Sequence, residues 1–484
     1  MHKAQEKSLS WDFYARLILL SYAVLQILRW RIFPQFMDMH YHLLTAWGFI
    51  RAGGYSGWDF WQYAPVGRVH IYPPFFHIIL ALLIKLGISK IILAKLFETV
   101  IPLLFLFVLW RFIRKNYGER IGFFVMLAAS SSFSFYLSLA NYIPATLAAI
   151  FGLLALDRLF RNRFLPAALL LALSFYTHIG IPWLFAFTFI FYGLFSREHR
   201  KLCFKIFALA FILSLPVLFK QLVSLKAVSK LGFSLNEKYI CQFKIIDYIL
   251  AFFGLILAWR AEKKYRLFFS LFLASFLFLL YPYRFFSAEG YLPVILLSAL
   301  AMDTLCRALQ ARRAYLKYSP ALIAVVILFI SPTLSMDKPL GQDKINYKIS
   351  LYDSAFTGML FARGESLWLP RDYLPSAALI RDNSGPDDII YSPLNIVGVT
   401  LASISGRATA NALLPEIESS REFDPFRAAK IIIFTQDSDP GLISQVAANY
   451  GLIKIGENKL FIFYQNPSPQ GAVDTKLKNY LTKP

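Results

Sequence analysis

The sequence predicts a polytopic α-helical membrane protein carrying a small C-terminal extracytoplasmic α/β domain. Three observations predict it. Apolar runs approaching the ~20 residues that span a bilayer recur from the N-terminus to about residue 331. Short basic clusters punctuate those runs. Beyond about Asp337 charged and polar residues return together with turn signals. The composition agrees: 57% of the 484 residues are hydrophobic and 16% are charged, against about 25% charged in soluble domains.

The net charge of +21 raises the question of nucleic acid. Its distribution excludes that partner. Lys and Arg lie in clusters between apolar runs rather than on one folded face, which marks cytoplasmic loops and anionic lipid headgroups. Cys203, Cys241 and Cys306 are far apart, with neither a disulfide framework nor metal-ligand spacing.

The first apolar run, 17–28, follows Lys3 and Lys7 and has no small-residue cleavage site after it. It reads as a retained first helix, with Arg16, Arg29 and Arg31 snorkelling to the interfaces. Five basic clusters follow: 111–120, 158–163, 197–201, 260–266 and 307–317. Placing all five in the cytoplasm leaves room for a pair of helices between each neighbouring two. The outward and returning runs are 121–139 and 144–156, 166–177 and 182–195, 204–218 and 245–258, and 267–280 and 292–305. A last span, 321–331, leaves the C-terminus outside. This makes about eleven transmembrane helices with the N-terminus inside, in a plasma (cytoplasmic) membrane. The lysine-rich segment 220–244 then lies outside, as an anionic-ligand surface or a solvated loop.

Charge balance also shapes the segment before Arg111. Residues 75–86, opened by Pro73-Pro74, read as an interfacial helix, and 91–110 as the span. Residues 33–90 become one large outer loop. The chain therefore divides into a membrane domain, 1–335, an outer α/β domain, 336–466, and a tail, 467–484. In the outer domain 387–391, 430–434 and 452–464 read as strands, the last split by a Gly456-Glu457-Asn458 turn, and 442–450 as a helix. Asp437 and Asp439 read as turn residues.

The first outer loop concentrates the chemistry: Asp38-Met39-His40-Tyr41-His42, then Asp59, Arg68, His70, Tyr72 and His77. A carboxylate beside imidazoles suits general-base catalysis on an acceptor hydroxyl. Asp38 equally suits the cap of a following helix over 41–50. His40 and His42, two apart, fit a strand better than a helix face, and His70 and His77 join them only through folding. His178, at an outer helix end, faces the same cavity as Asp38 or an interface. Arg284, in Tyr283-Arg284-Phe285-Phe286 with Glu289 nearby, pairs with a lipid phosphate, with Glu289 or with headgroups.

Together these features resemble the GT-C superfamily of polytopic glycosyltransferases, which includes oligosaccharyltransferase catalytic subunits, protein O-mannosyltransferases and aminoarabinose transferases. The similar features are Asp38 with Tyr41-His42, the stretch from Tyr72 to His77, Lys115-Asn116-Tyr117-Gly118, Arg284 before aromatic residues, and Leu401-Ala402-Ser403-Ile404-Ser405-Gly406-Arg407 with the closing hairpin. The resemblance implies a polyprenyl-phosphate sugar donor, a glycan, lipid or protein acceptor, and Asp38 as base or metal holder. From the residues themselves, His40, His42, His70, His178, Arg284 and Glu289 are the candidate substrate-binding residues.

The sequence departs from the superfamily pattern at two places. The next outer loop, Ala140-Asn141-Tyr142-Ile143-Pro144, carries no acid where metal-dependent members have one. The Trp-Trp-Asp acceptor motif is missing, so oligosaccharyl transfer is not expected. No cofactor is required, because phosphate is already a good leaving group. The alternatives are a transporter or lipid flippase, or a non-catalytic protein of the same architecture. The polar residues gather at one face rather than at the midplane, which favours the enzyme.

Overall fold

The computed structural model describes residues 10–30, 38–227, 239–260, 262–279, 281–312, 319–338, 344, 346–351, 353–361, 370–413, 417, 419 and 421–471. Lys3, Lys7, Arg31, residues 228–238, Arg313, Lys317 and most of the tail lie outside them. Among the described residues five helices are long and apolar enough to cross a membrane: Trp11–Leu28, Lys90–Tyr117, Ile143–Phe160, Arg200–Ser224 and Tyr283–Ala311. The Trp11–Leu28 helix leaves Ile27 67% and Leu28 72% exposed. Apolar area in water costs roughly 25 cal/mol per Å², so such faces belong against lipid. The protein is an integral membrane protein.

Eleven spans were expected; among the described residues five helices, or up to six if a bent pair counts as one span, reach full spanning length by length and composition. Phe164–Phe175, Ile181–Phe195 and Ser319–Ile330 are apolar but only 10–17 residues long. The 121–139 run is not one helix. It divides into Glu119–Ser130 and Phe133–Asn141, bent by 85°. The cause is the Ser130-Ser131-Ser132 run. Ser130 and Ser131 donate back to the carbonyls of Met126 and Ala128, both at 2.7 Å. Ser132 accepts from the Phe135 N–H at 3.2 Å and caps a new helix.

The chain forms two compact units. The first holds Met1–Trp30, Thr99–Pro216 and Phe233–Ala362. Within it the five basic clusters meet at one end. Tyr117 and Phe160 rings lie 6.0 Å apart, Phe160 and His199 5.9 Å, and Tyr117 and Tyr265 5.5 Å. Arg120 and Arg307 share Asp303. Asp12, at the start of the first helix, pairs with Arg16 at 2.7 Å and Arg114 at 2.8 Å. This is the arrangement that the charge pattern required. Arg16, expected to snorkel, pairs with Asp12 at that helix end. A three-stranded antiparallel sheet, Tyr239–Lys244, Thr333–Lys338 and Asn346–Ser350, also belongs here.

The second unit holds Arg31–Glu98, Val217–Gly232 and Arg363–Pro484. Its five-stranded sheet runs Ala408–Thr409, Ile389–Tyr391, Ile431–Thr435, Phe461–Gln465, Ile453–Glu457. The first three strands are parallel, and the last two join antiparallel as a hairpin. Helix Asn395–Ser405 makes one crossover, and Pro440–Tyr450 follows the Ile431–Thr435 strand. Asp439 caps the latter, accepting from the Gly441 N–H at 2.9 Å.

Strand alternation builds two layers. Ile432 and Phe434 face one way with Ile389, Ala408 and Ile443. Ile431 and Ile433 face the other, with Phe461, Phe463, Tyr41, Leu44, Phe49 and the fully buried Trp61. The first loop therefore completes the core of the C-terminal sheet. Trp61 fits because residue 48 is glycine: a Cβ there would come within 2.1 Å of the indole.

Candidate active site

The 38–51 segment forms one helix, Asp38–Arg51, beginning at the acid itself among the described residues. Asp38 does not stand before a helix at 41 as a cap. It sits in the first turn, and its Oδ2 accepts from His42 Nε2 at 3.1 Å, one turn further on. Asp38 keeps 30% of its side chain exposed, while His42 is 1% exposed. Behind His42 lies helix Phe75–Lys85, started by Pro73-Pro74. His77 of that helix places its Nε2 2.9 Å from His42 Nδ1. Tyr72 and Phe76 close the pocket, with rings 5.3 and 5.5 Å from that of His42.

The two histidines of the tripeptide serve different ends, and the strand-like spacing is resolved by a helix. His40 points away from His42, and its Nδ1 lies 2.9 Å from Ser403 Oγ on helix Asn395–Ser405. Burial pushes the His40 pKa down to about 4. His70, beyond the short strand Arg68–Val69, meets His77 edge to face, ring centres 5.7 Å apart, without joining its hydrogen bond to His42. Burial holds both His70 and His77 well below the ordinary imidazole range.

Arg68 is structural. Its guanidinium is 2% exposed and bonds Asp59 Oδ2 at 3.2 Å, the Ile417 carbonyl at 2.9 Å and the Leu413 carbonyl at 2.5 Å. This ties the loop to the C-terminal segment. Burial raises Asp59 to about 6, with Arg68 opposing the shift.

The remaining candidates lie in the first unit. His178 Nδ1 accepts the backbone N–H groups of Gly180 and Ile181, at 3.0 and 3.1 Å. It caps helix Ile181–Phe195. Arg284 Nη1 donates to both oxygens of Glu289, at 2.9 and 3.0 Å, and its guanidinium lies 4.9 Å from the Tyr142 ring centre. Glu289 is one of the partners open to Arg284 from its sequence.

His42 has no ring nitrogen left to ligate a metal ion. Both ring nitrogens of His42 are engaged, one by the carboxylate and one by His77. Among the described residues no group of three or more His, Cys, Asp or Glu converges as ligands would. What the site offers is a carboxylate turned and held by an imidazole, open on one side. His77 is the partner that sequence reasoning did not pair with His42. The signal was the Asp38/His42 spacing of one helical turn, which left a second imidazole nitrogen in need of a partner.

No family model and no curated protein matches the chain. Solved structures do. ArnT of Cupriavidus metallidurans in the apo state superposes with a TM-score of 0.53 at 14% identity, over 94% of this chain and 97% of that one. The apo Archaeoglobus fulgidus oligosaccharyltransferase gives 0.60 at 12% identity, over 97% and 78%. The same archaeal enzyme, AglB, in complex with an inhibitory peptide and a dolichol-phosphate gives 0.59 at 11%, over 96% and 77%. The chain has the GT-C fold. The shared architecture extends over nearly the whole sequence, although few residues are identical.

Proposed function

We propose that this protein is a membrane glycosyltransferase that moves a sugar from a polyprenyl-phosphate donor to an acceptor hydroxyl on the extracytoplasmic face. The observation that carries the reading is Asp38: an acid in the first turn of a helix, exposed on one side and held by His42 on the other. Support comes from the GT-C fold, and from the dolichol-phosphate and peptide bound by the archaeal protein of that fold.

In this reading Asp38 takes the proton of the acceptor hydroxyl as its oxygen bonds the sugar C1. The C1–O bond to phosphate breaks, and the electron pair leaves with polyprenyl phosphate. A single displacement inverts C1. The membrane placement is the one read from charge: N-terminus inside, about eleven crossings in a plasma membrane, and shorter helices reaching the interface at their ends.

The test is a glycan and glycolipid profile of cells lacking the protein, rescued by wild type or by Asp38→Asn. A sugar lost in the deletion and restored by wild type alone supports the reading and identifies the donor. Equal rescue by both overturns Asp38 as base.

A further inference from the structure

Asp38, His42 and His77 form one hydrogen-bonded line that runs from an exposed carboxylate into a sealed pocket. The residues come from two helices, and His42 and His77 are 1% and 0% exposed. Two buried imidazoles 2.9 Å apart must agree on which nitrogen holds each proton. If His77 donates from Nε2, His42 Nδ1 is the acceptor. The His42 proton then sits on Nε2, the nitrogen facing Asp38. If His42 instead donated from Nδ1 as a neutral ring, its bare Nε2 lone pair would face the carboxylate and repel it. The carboxylate thus favours the His42 tautomer that donates to Oδ2, and a His77 N–H aimed at Nδ1 holds it there.

We propose that His77 is a positioning residue acting through His42, setting the one tautomer that orients Asp38 and keeps His42 neutral beside it. The consequence follows from charge. A neutral donor orients the carboxylate without neutralising it. An imidazolium in the same place would hold the negative charge and weaken Asp38 as a proton acceptor. The proposal rests on the reading of Asp38 as the base. Its tautomer part stands independently of it.

The test uses the full chain in lipid vesicles, labelled with ¹⁵N-histidine, with the His42 and His77 signals assigned from single substitutions. Wild type should show both rings neutral and protonated at Nε2. His77→Gln places an amide N–H where Nε2 was and should keep the His42 proton on Nε2. His77→Phe and the shorter His77→Asn should both divide the His42 proton between its nitrogens. Two polar-matched variants and one apolar variant separate tautomer control from simple loss of packing.

In cells lacking the protein, His77→Gln should restore the missing glycan close to the wild-type level. His77→Phe and His77→Asn should fall by about tenfold at equal protein abundance, the effect typical of an outer partner of a site residue. A His42 proton found on Nδ1 in wild type, or unmoved in both His77→Phe and His77→Asn, overturns the proposal. Equal rescue by all three variants does the same. If Asp38→Asn rescues while the tautomer result holds, the base reading fails and the tautomer control stands.

Discussion

Two carboxylates in the two units are held in opposite ways. Glu289 is 7% exposed and bound through both oxygens by Arg284. Asp38 is 30% exposed and bound through one oxygen by an imidazole. A cation partner fixes a charge and spends it. A single imidazole contact turns the carboxylate and leaves its other oxygen open. The difference is what the proposed function rests on: framework in one place, a proposed reacting group in the other.

The largest expected effect comes from breaking the second arrangement. Asp38→Asn should lower transfer by about 10²- to 10⁴-fold, the usual worth of a positioned base, with thermal stability near wild type. Glu289→Gln should invert that pattern. It leaves a mostly buried guanidinium without its counter-charge and should cost about 3 kcal/mol of stability, read as lower Tm and abundance. A Glu289→Gln protein of wild-type stability would show that the pair is not framework.

Gly48→Ala sharpens the comparison from the core side. Its methyl group would overlap Trp61, so about 2 kcal/mol of destabilisation is expected from overpacking, measured as a fall in Tm. An unchanged Tm would mean that the indole moves freely.

The smallest effect is a pH trend. His40, His70 and His77 have folded-state pKa values held down by burial. The unfolded chain takes up these protons near 6.5, before the folded one does, so stability falls as pH drops below that value. Asp59, raised to about 6, works the other way and favours the folded state as pH falls through 6. Three groups oppose one, so Tm in detergent should decline from pH 7.5 to pH 5.5. A rising Tm would show that Asp59 dominates.

Much of this was legible in the sequence because local physics decides it. Basic clusters marked one end of the helices, and the Pro73-Pro74 opening marked the helix that carries His77. The strands at Ile389–Tyr391 and Ile431–Thr435 followed from β-branched runs. The hairpin was also legible, although its turn lies later than expected. Asn458 makes it by accepting the Leu460 and Phe461 N–H groups, both at 2.9 Å.

What the sequence did not disclose depends on distant contacts or on competition for the backbone. Three serines divide a run whose hydropathy reads as continuous. Arg68 reaches carbonyls more than 340 positions away. His42 and His77 are 35 positions apart and meet through helix packing. His40 and His42, adjacent in a motif, separate because a helix turns them 200° apart, at about 100° per residue.

The most direct test of the central claim compares Asp38→Asn with Glu289→Gln in cells lacking the protein, with the missing glycan measured per molecule of protein. The account predicts that Asp38→Asn protein accumulates but restores none of the glycan. It predicts that whatever Glu289→Gln protein accumulates restores glycan in proportion. Normal glycan from Asp38→Asn would contradict it.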